Sequence, residues 1–227
     1  MGAEKMLGVS WLCLSLACGV VAAQGEETGS TGDVAQVSAP VWEKGMAIIG
    51  KVRVDPVQRT VNAPGWVNLE AGAIELLACG PGGKTHESIF VLDVNALDLQ
   101  TGLLLLGLKG GEPMKGLGQG PPKGAEIDLW VEWKDGEHSC EKRAETFVFD
   151  EDSGSVLPDA PWIFTGSMME EGQFKALAEE SLVTTYWDPW SIVNLGLPCG
   201  SNDEMLVVNT NTIPPVKTDI IMSFRAR

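Results

Sequence analysis

The chain has 227 residues, 44% of them hydrophobic, and a formal net charge of −15 from 16 basic and 31 acidic side chains. That length suits one domain of ordinary size with a real core. So strong an acidic balance repels phosphate backbones and excludes nucleic acid as a partner; on a surface it serves solubility or draws cations.

The first element is the run MLGVSWLCLSLACGVVAA, Met6 to Ala23, uncharged after Glu4 and Lys5. Its small residues and its Val21-Ala22-Ala23 ending fit a signal peptide over residues 1–23, cleaved after Ala23, which predicts an exported protein, periplasmic or extracellular. A retained membrane anchor is one alternative, since the run reaches the lower length limit of a span. Lipid attachment at Cys18 is another, because Ser15-Leu16-Ala17-Cys18 resembles a bacterial lipobox. No other tie to a membrane is expected. Residues 24–40 (QGEETGSTGDVAQVSAP) read as a flexible acidic linker, too poor in large apolar groups to offset the entropy of ordering. Residues 41–227 then form a single globular domain.

Within it, Lys51–Val54 and Arg59–Val61 alternate around an Asp55-Pro56 turn and predict a hairpin. The apolar run Ala73–Ala78 predicts a buried strand ending at Cys79, and Ser88–Val94 predicts the next strand. Asn95 is a good N-cap with Asp98 in the first turn. Val94, Leu97, Leu104, Leu105 and Leu108 recur at helical spacing, widened by Leu103 and Leu106, so a long, largely buried helix is expected up to Gly110-Gly111. Gly116–Ala125 reads as a connector; it lacks the Gly-Lys-Ser/Thr of a phosphate loop. Ile127, Leu129, Val131 and Trp133 alternate with polar partners and Trp130, a strand that turns at Asp135-Gly136 and returns through Cys140–Phe149. Short strands are predicted at Trp162–Gly166, Leu182–Tyr186, Leu206–Val208 and Asp219–Phe224, and Asp188-Pro189 predicts a short helix ending near Gly196. The expected class is α+β: a β-rich single domain of mostly antiparallel strands with one long buried helix.

Chemistry concentrates in ACGPGGKTHES, Ala78 to Ser88. Cys79 ends one strand, His86 and Glu87 precede the next, and the glycines between them allow a tight reversal. A thiol acts as ligand or nucleophile only as the thiolate, which a neighbouring imidazolium or metal favours. A metal, zinc or copper, would need further ligands, and His138 and Cys140 join Cys79, His86 and Glu87 as the available set; nothing in the sequence requires one. Export leaves Cys79, Cys140 and Cys199 where disulfides persist, but three cysteines allow at most one internal bridge. The alternatives are a structural corner, a metal or small-ligand site, and a Cys79 nucleophile with His86 as its base. Tryptophans, Trp187 and Trp190 above all, supply another reading, a module that binds an envelope protein or glycan.

The order VRVDPVQRTVNAPGWVNLEAGAIELLACGPGGKTHESIFVLDV, then LLLLGL, YWDPWSIVNL, SNDE and NTIPPVKT, resembles the YdjY-domain proteins of bacteria over Gly45 to Phe224. The most specific piece of the resemblance is Cys79, Gly83, His86, Glu87 and Ser88, which makes these five the candidate ligand-binding residues. The resemblance implies export and a single domain. Some members look associated with iron–sulfur modules, but this chain lacks the cysteine series that would hold a cluster. At Trp187 the chain departs from the histidine expected in the Tyr-x-Asp-Pro element. The expectation carried forward is an exported, non-enzymatic protein with a small-ligand or metal site at the Cys79-His86-Glu87 turn.

Overall fold

The computed structural model describes residues 37–112 and 114–227. The expected signal peptide, Cys18 and most of the linker lie outside the described residues. Strands appear where branched and aromatic residues alternate with polar ones. An N-terminal meander comprises β1 (Val41–Glu43), β2 (Met46–Ile49), β3 (Val52–Asp55) and β4 (Thr60–Val67). Then come β5 (Leu76–Cys79), β6 (Ser88–Leu92), helix α1 (Ala96–Leu105), β7 (Ala125–Asp135) and β8 (His138–Arg143). The rest are β9 (Val148–Asp150), β10 (Ser155–Val156), β11 (Trp162–Phe164), β12 (Met169–Glu170), β13 (Gln173–Phe174), α2 (Lys175–Ala178), β14 (Ser181–Thr184), β15 (Val193–Leu195), β16 (Leu206–Val208) and β17 (Asp219–Ala226).

These strands close a barrel. Taken round the ring, the hydrogen-bonded order is β4, β17, β7, β11, β15, β14, β5 and β6, with β6 returning to β4. Pairing is antiparallel except for β5–β6 and β14–β15, which run parallel. The strands β1 to β3 extend outward from β4, and β8 hangs on β7. On β4 the residues Val61, Ala63, Gly65 and Val67 are buried, and on β7 Ile127, Leu129 and Val131 are. The barrel's core is filled by fully buried Phe90, Phe147, Trp162, Phe164 and Phe224, with Phe90 meeting Phe147 edge-on at 5.4 Å. Trp130 faces out from β7, its ring between the guanidinium groups of Arg143 (5.5 Å) and Arg225 (4.7 Å).

The expected α+β class with a long buried helix is thereby corrected to a β-barrel with, among the described residues, two short α-helices. Asn95 does cap α1, accepting the Leu97 N–H at 2.8 Å, but the helix spans only ten residues. It stops at Leu106, ahead of Gly107 with φ +78°. The leucine run misled because leucines surround the helix while small residues set its contact. Ala96, Leu99, Gly102 and Leu103 are buried, and a Cβ on Gly102 would lie 3.2 Å from Val52, Val54 and Val61. Leu104 and Leu105 remain 49% and 46% exposed. Asp98 is 3% exposed and takes two hydrogen bonds from Ser38, at 2.7 and 2.9 Å, which pins the entry of the chain into the domain.

The helix expected after Asp188-Pro189 is also absent. The Asp188 carboxylate accepts the Trp190 N–H (2.8 Å) in a turn, and Asn194 fixes that turn by accepting the Asp188 N–H and donating to its carbonyl. The chain then enters β15 directly. An Asx turn and an N-cap share the same carboxylate-to-backbone bond, so the local signal was real and its continuation was not.

Candidate functional site

The block at 78–88 does not join two antiparallel strands. It links β5 to its parallel neighbour β6, with Leu76 beside Ser88 and Cys79 beside Val91. The chain must therefore travel back along β5 by about 10 Å, the rise of three residues, within eight connecting residues. Parallel neighbours ordinarily need a longer crossover. The glycines make this short return possible. The Gly80 N–H donates to the Glu180 carbonyl (2.8 Å), and the Gly82 N–H donates to the Glu180 carboxylate (2.6 Å). A Cβ on Gly83 would lie 3.0 Å from both Cys79 Cβ and the Glu180 carbonyl oxygen. Glu180 holds φ +49°, so the gripping residue bears the left-handed backbone itself. A helical turn, Thr85–Glu87, completes the return, and the buried Ser88 hydroxyl donates to the Lys84 carbonyl at 2.8 Å.

Cys79 is fully buried in a small cluster with Leu76, Val91 and Trp66, apart from the main core. Burial pushes its thiol up, against a weaker pull from the Ser88 hydroxyl. His86 points the other way. Its side chain is 78% exposed, and its nearest acid is Glu87 at 3.6 Å. Among the described residues no hydrogen bond joins Cys79 to His86. His138 and Cys140 lie on β8, opposite Asp135 and Trp133, and β8 attaches to β7, four strand steps round the ring from β5. The five residues considered for zinc or copper are thus not brought together. Among the described residues, no three His, Cys, Asp or Glu side chains gather as a metal-holding group. Cys79, Cys140 and Cys199 are free thiols. Of the two tryptophans proposed as a platform, Trp187 is 6% exposed, donates its indole N–H to the Leu195 carbonyl (2.8 Å) and packs on Gly120 and Gly200.

The structure does bring the block's polar end to another site. Lys84, from the return loop, lines a cleft with Glu75 and Leu76 of the β5 approach, Ser181 and Thr184 of β14, and Tyr186, Asp188 and Trp190 of the following turn. Leu117, from the long connector, closes one side. Lys84 bridges Glu75 (3.2 Å) and Glu87 (2.9 Å). Burial opposes its charge, but these two carboxylates outweigh burial and hold the ammonium above its usual range. Asp188 accepts the Ser181 hydroxyl at 3.0 Å, and burial raises its carboxyl above the ordinary aspartate value. Burial likewise raises Glu75, with Lys84 pulling against it. Tyr186 is raised by burial and by the negative charges around it. The indole of Trp190 meets the Lys175 ammonium at 5.1 Å. The space enclosed, about 40 Å³, suits a small polar group rather than a drug-sized molecule.

The sequence alone assigns no role to Glu75 or Lys84, and it places Asp188 at a helix cap and in the Tyr-x-Asp-Pro element of the family resemblance. The usable signal is that the two most distinctive blocks of the chain, 78–88 and 186–190, each hold a charged residue, Lys84 and Asp188. No curated protein and no solved structure matches the chain. The family description that does match is the YdjY domain, over residues 52–225. That stretch takes in β3 to β17 almost entire, including the barrel and the cleft, and the chain belongs to the YdjY domain family.

Proposed function

We propose that this YdjY-domain protein is an exported, envelope-resident binding protein whose site is the cleft between Lys84 and the Tyr186–Trp190 turn. The observation that carries this reading is the pair of carboxyls, Glu75 and Asp188, kept in a cleft where burial opposes their ionisation. Folds do not retain such groups without a counterweight, and sites that bind or react are where they collect. Lys84 supplies part of that counterweight, and a small polar ligand supplies the rest. Binding is favoured over nucleophilic chemistry because the Cys79 thiol is buried outside the cleft and unaccompanied by the histidine. Export is supported by the apolar leader at 6–23 and its small-residue ending.

Intact and native mass spectrometry of the full chain, expressed and recovered from the envelope fraction, tests both parts. The expected result is a polypeptide beginning at Gln24 that carries a small adduct, with the adduct lost from Lys84→Met and Asp188→Asn. A bare polypeptide, together with no small polar compound that raises the melting temperature of wild type selectively over Asp188→Asn, sinks the ligand reading. A cytoplasmic chain that still begins at Met1 sinks the export reading.

A further inference from the structure

A larger concavity lies elsewhere: a groove of about 640 Å³ on the outer wall of the barrel. Successive strands line it, with Ile48 on β2, Arg53 on β3, Asn62 and Pro64 on β4, Ile221 on β17 and Glu132 on β7. Register sets these side chains in two adjacent rows. Ile48 stands opposite Arg53, and Arg53 opposite Asn62. In the next row Pro64 stands opposite Ile221, and Ile221 opposite Glu132. At about 4.8 Å per strand, the four steps from β2 to β7 make the groove roughly 19 Å long.

Its two ends differ in what they leave unsatisfied. At the β7 end Glu132 is answered by Arg225 at 3.5 Å and by the Ser223 hydroxyl at 3.4 Å. At the β3 end the Arg53 guanidinium makes no ion pair or hydrogen bond among the described residues. Asn62 accepts the Ser223 hydroxyl through Oδ1 at 2.6 Å, which leaves its NH₂ without an acceptor among the same residues. Lys51, on this rim, is already held by Asp93 at 2.6 Å. So a guanidinium and an amide NH₂ stand side by side across one strand pair, about 5 Å apart at Cβ, with no acceptor of the protein's own. Pro64 and Ile221 form the apolar row that leads from this spot to Glu132, and beside that row the Ser223 hydroxyl lies within hydrogen-bond distance of both Asn62 and Glu132. A guanidinium fork matches a carboxylate in two parallel hydrogen bonds, and the neighbouring amide adds a third. The field of a −15 chain disfavours polyanions, which leaves a monoanion as the fitting charge.

We propose that this groove binds an aliphatic monocarboxylate, its carboxylate on Arg53 and Asn62 and its hydrocarbon chain over Pro64 and Ile221. The inference is independent of the cleft at Lys84. The test is an NMR titration of the ¹⁵N-labelled mature protein with sodium hexanoate, with hexylammonium chloride and sodium acetate as companions. Hexanoate is expected to produce saturable shifts at the amides of residues 48–53, 62, 63 and 221, and Arg53→Gln is expected to weaken it about ten-fold or more. Arg53 is exposed, so this variant keeps the fold, and its amide spectrum away from the groove verifies that. Acetate should bind more weakly for want of the apolar contact. The proposal is overturned if hexanoate fails to saturate, if Arg53→Gln binds it as wild type does, or if hexylammonium gives the same shifts. Shifts confined to residues 184–190 would move the binding to the other cleft and overturn it equally.

Discussion

Replacing Gly65 with alanine probes the seam at which the barrel closes. Gly65 lies on β4 opposite Leu92 of β6, in the pairing that returns the strand order to its start. An added Cβ would lie 3.0 Å from Leu92 Cα and Leu92 Cδ2, and closer still to the Val91 carbonyl oxygen. Two of these three atoms are backbone, so no rotamer change relieves the clash and β6 itself must shift. Overpacking of this kind costs about 1–3 kcal/mol. Loosening the pairs at Gly65, Trp66 and Val67 adds one or two hydrogen bonds at about 1 kcal/mol each. A loss of about 4 kcal/mol in a domain this size lowers Tm by roughly 8 to 16 °C. The assay is thermal unfolding followed by circular dichroism, with urea unfolding for ΔG and the m-value. Gly136→Ala is the matched control. Gly136 has φ +59° but nothing within 4 Å of an added Cβ, so only conformational strain of about 1–2 kcal/mol applies. If Gly65→Ala melted within a degree or two of wild type, or no lower than Gly136→Ala, the seam would not be sterically closed and the reasoning would fail.

Two further outcomes are expected. Cys79 should resist iodoacetamide at pH 8 in the native protein and react only after unfolding, because it is buried and its thiol is raised; labelling at the rate of a free thiol would contradict the buried corner. Asp188→Asn should gain thermal stability relative to wild type as pH rises from 3 to 7. A carboxyl with a raised folded-state pKa favours the fold below its unfolded value near 3.8 and loses that contribution as pH climbs through the folded value. A difference in Tm that stayed flat across this range would show that burial does not oppose the Asp188 charge.

Local elements were readable in the sequence, and their assembly was not. The hairpin across Asp55-Pro56, the Asn95 cap and the alternating strand from Ile127 each rest on signals within a few residues, and each is present. Closure depends on β17 joining β4 and on β6 joining β4, pairs far apart in the chain with no periodic signature of their own. The helix was overread because leucine content measures hydrophobicity, whereas Gly102 and Ala96 decide which face can approach the sheet. The candidate site divides in the same manner. The 78–88 block announced itself through its composition, yet its cysteine serves the corner and its lysine serves the cleft. Only tertiary contact between Lys84 and Glu75, and the approach of Asp188 from a hundred residues away, tells the two apart.

The position of β17 has a consequence for how the molecule comes to be folded. That strand pairs along nearly its whole length with both β4 and β7, and Arg225 within it and Arg227 just beyond it bind Glu141 and Asp128. Until residues 219–226 are available, β4 and β7 have no neighbour in common and the wall of the barrel stays open. The preceding strands cannot settle into the native ring early, since the contacts that would reward them span most of the sequence. A barrel whose wall is completed by one strand leaves the edges of β4 and β7 unpaired until that strand is in place, and an unpaired edge is open to other strands.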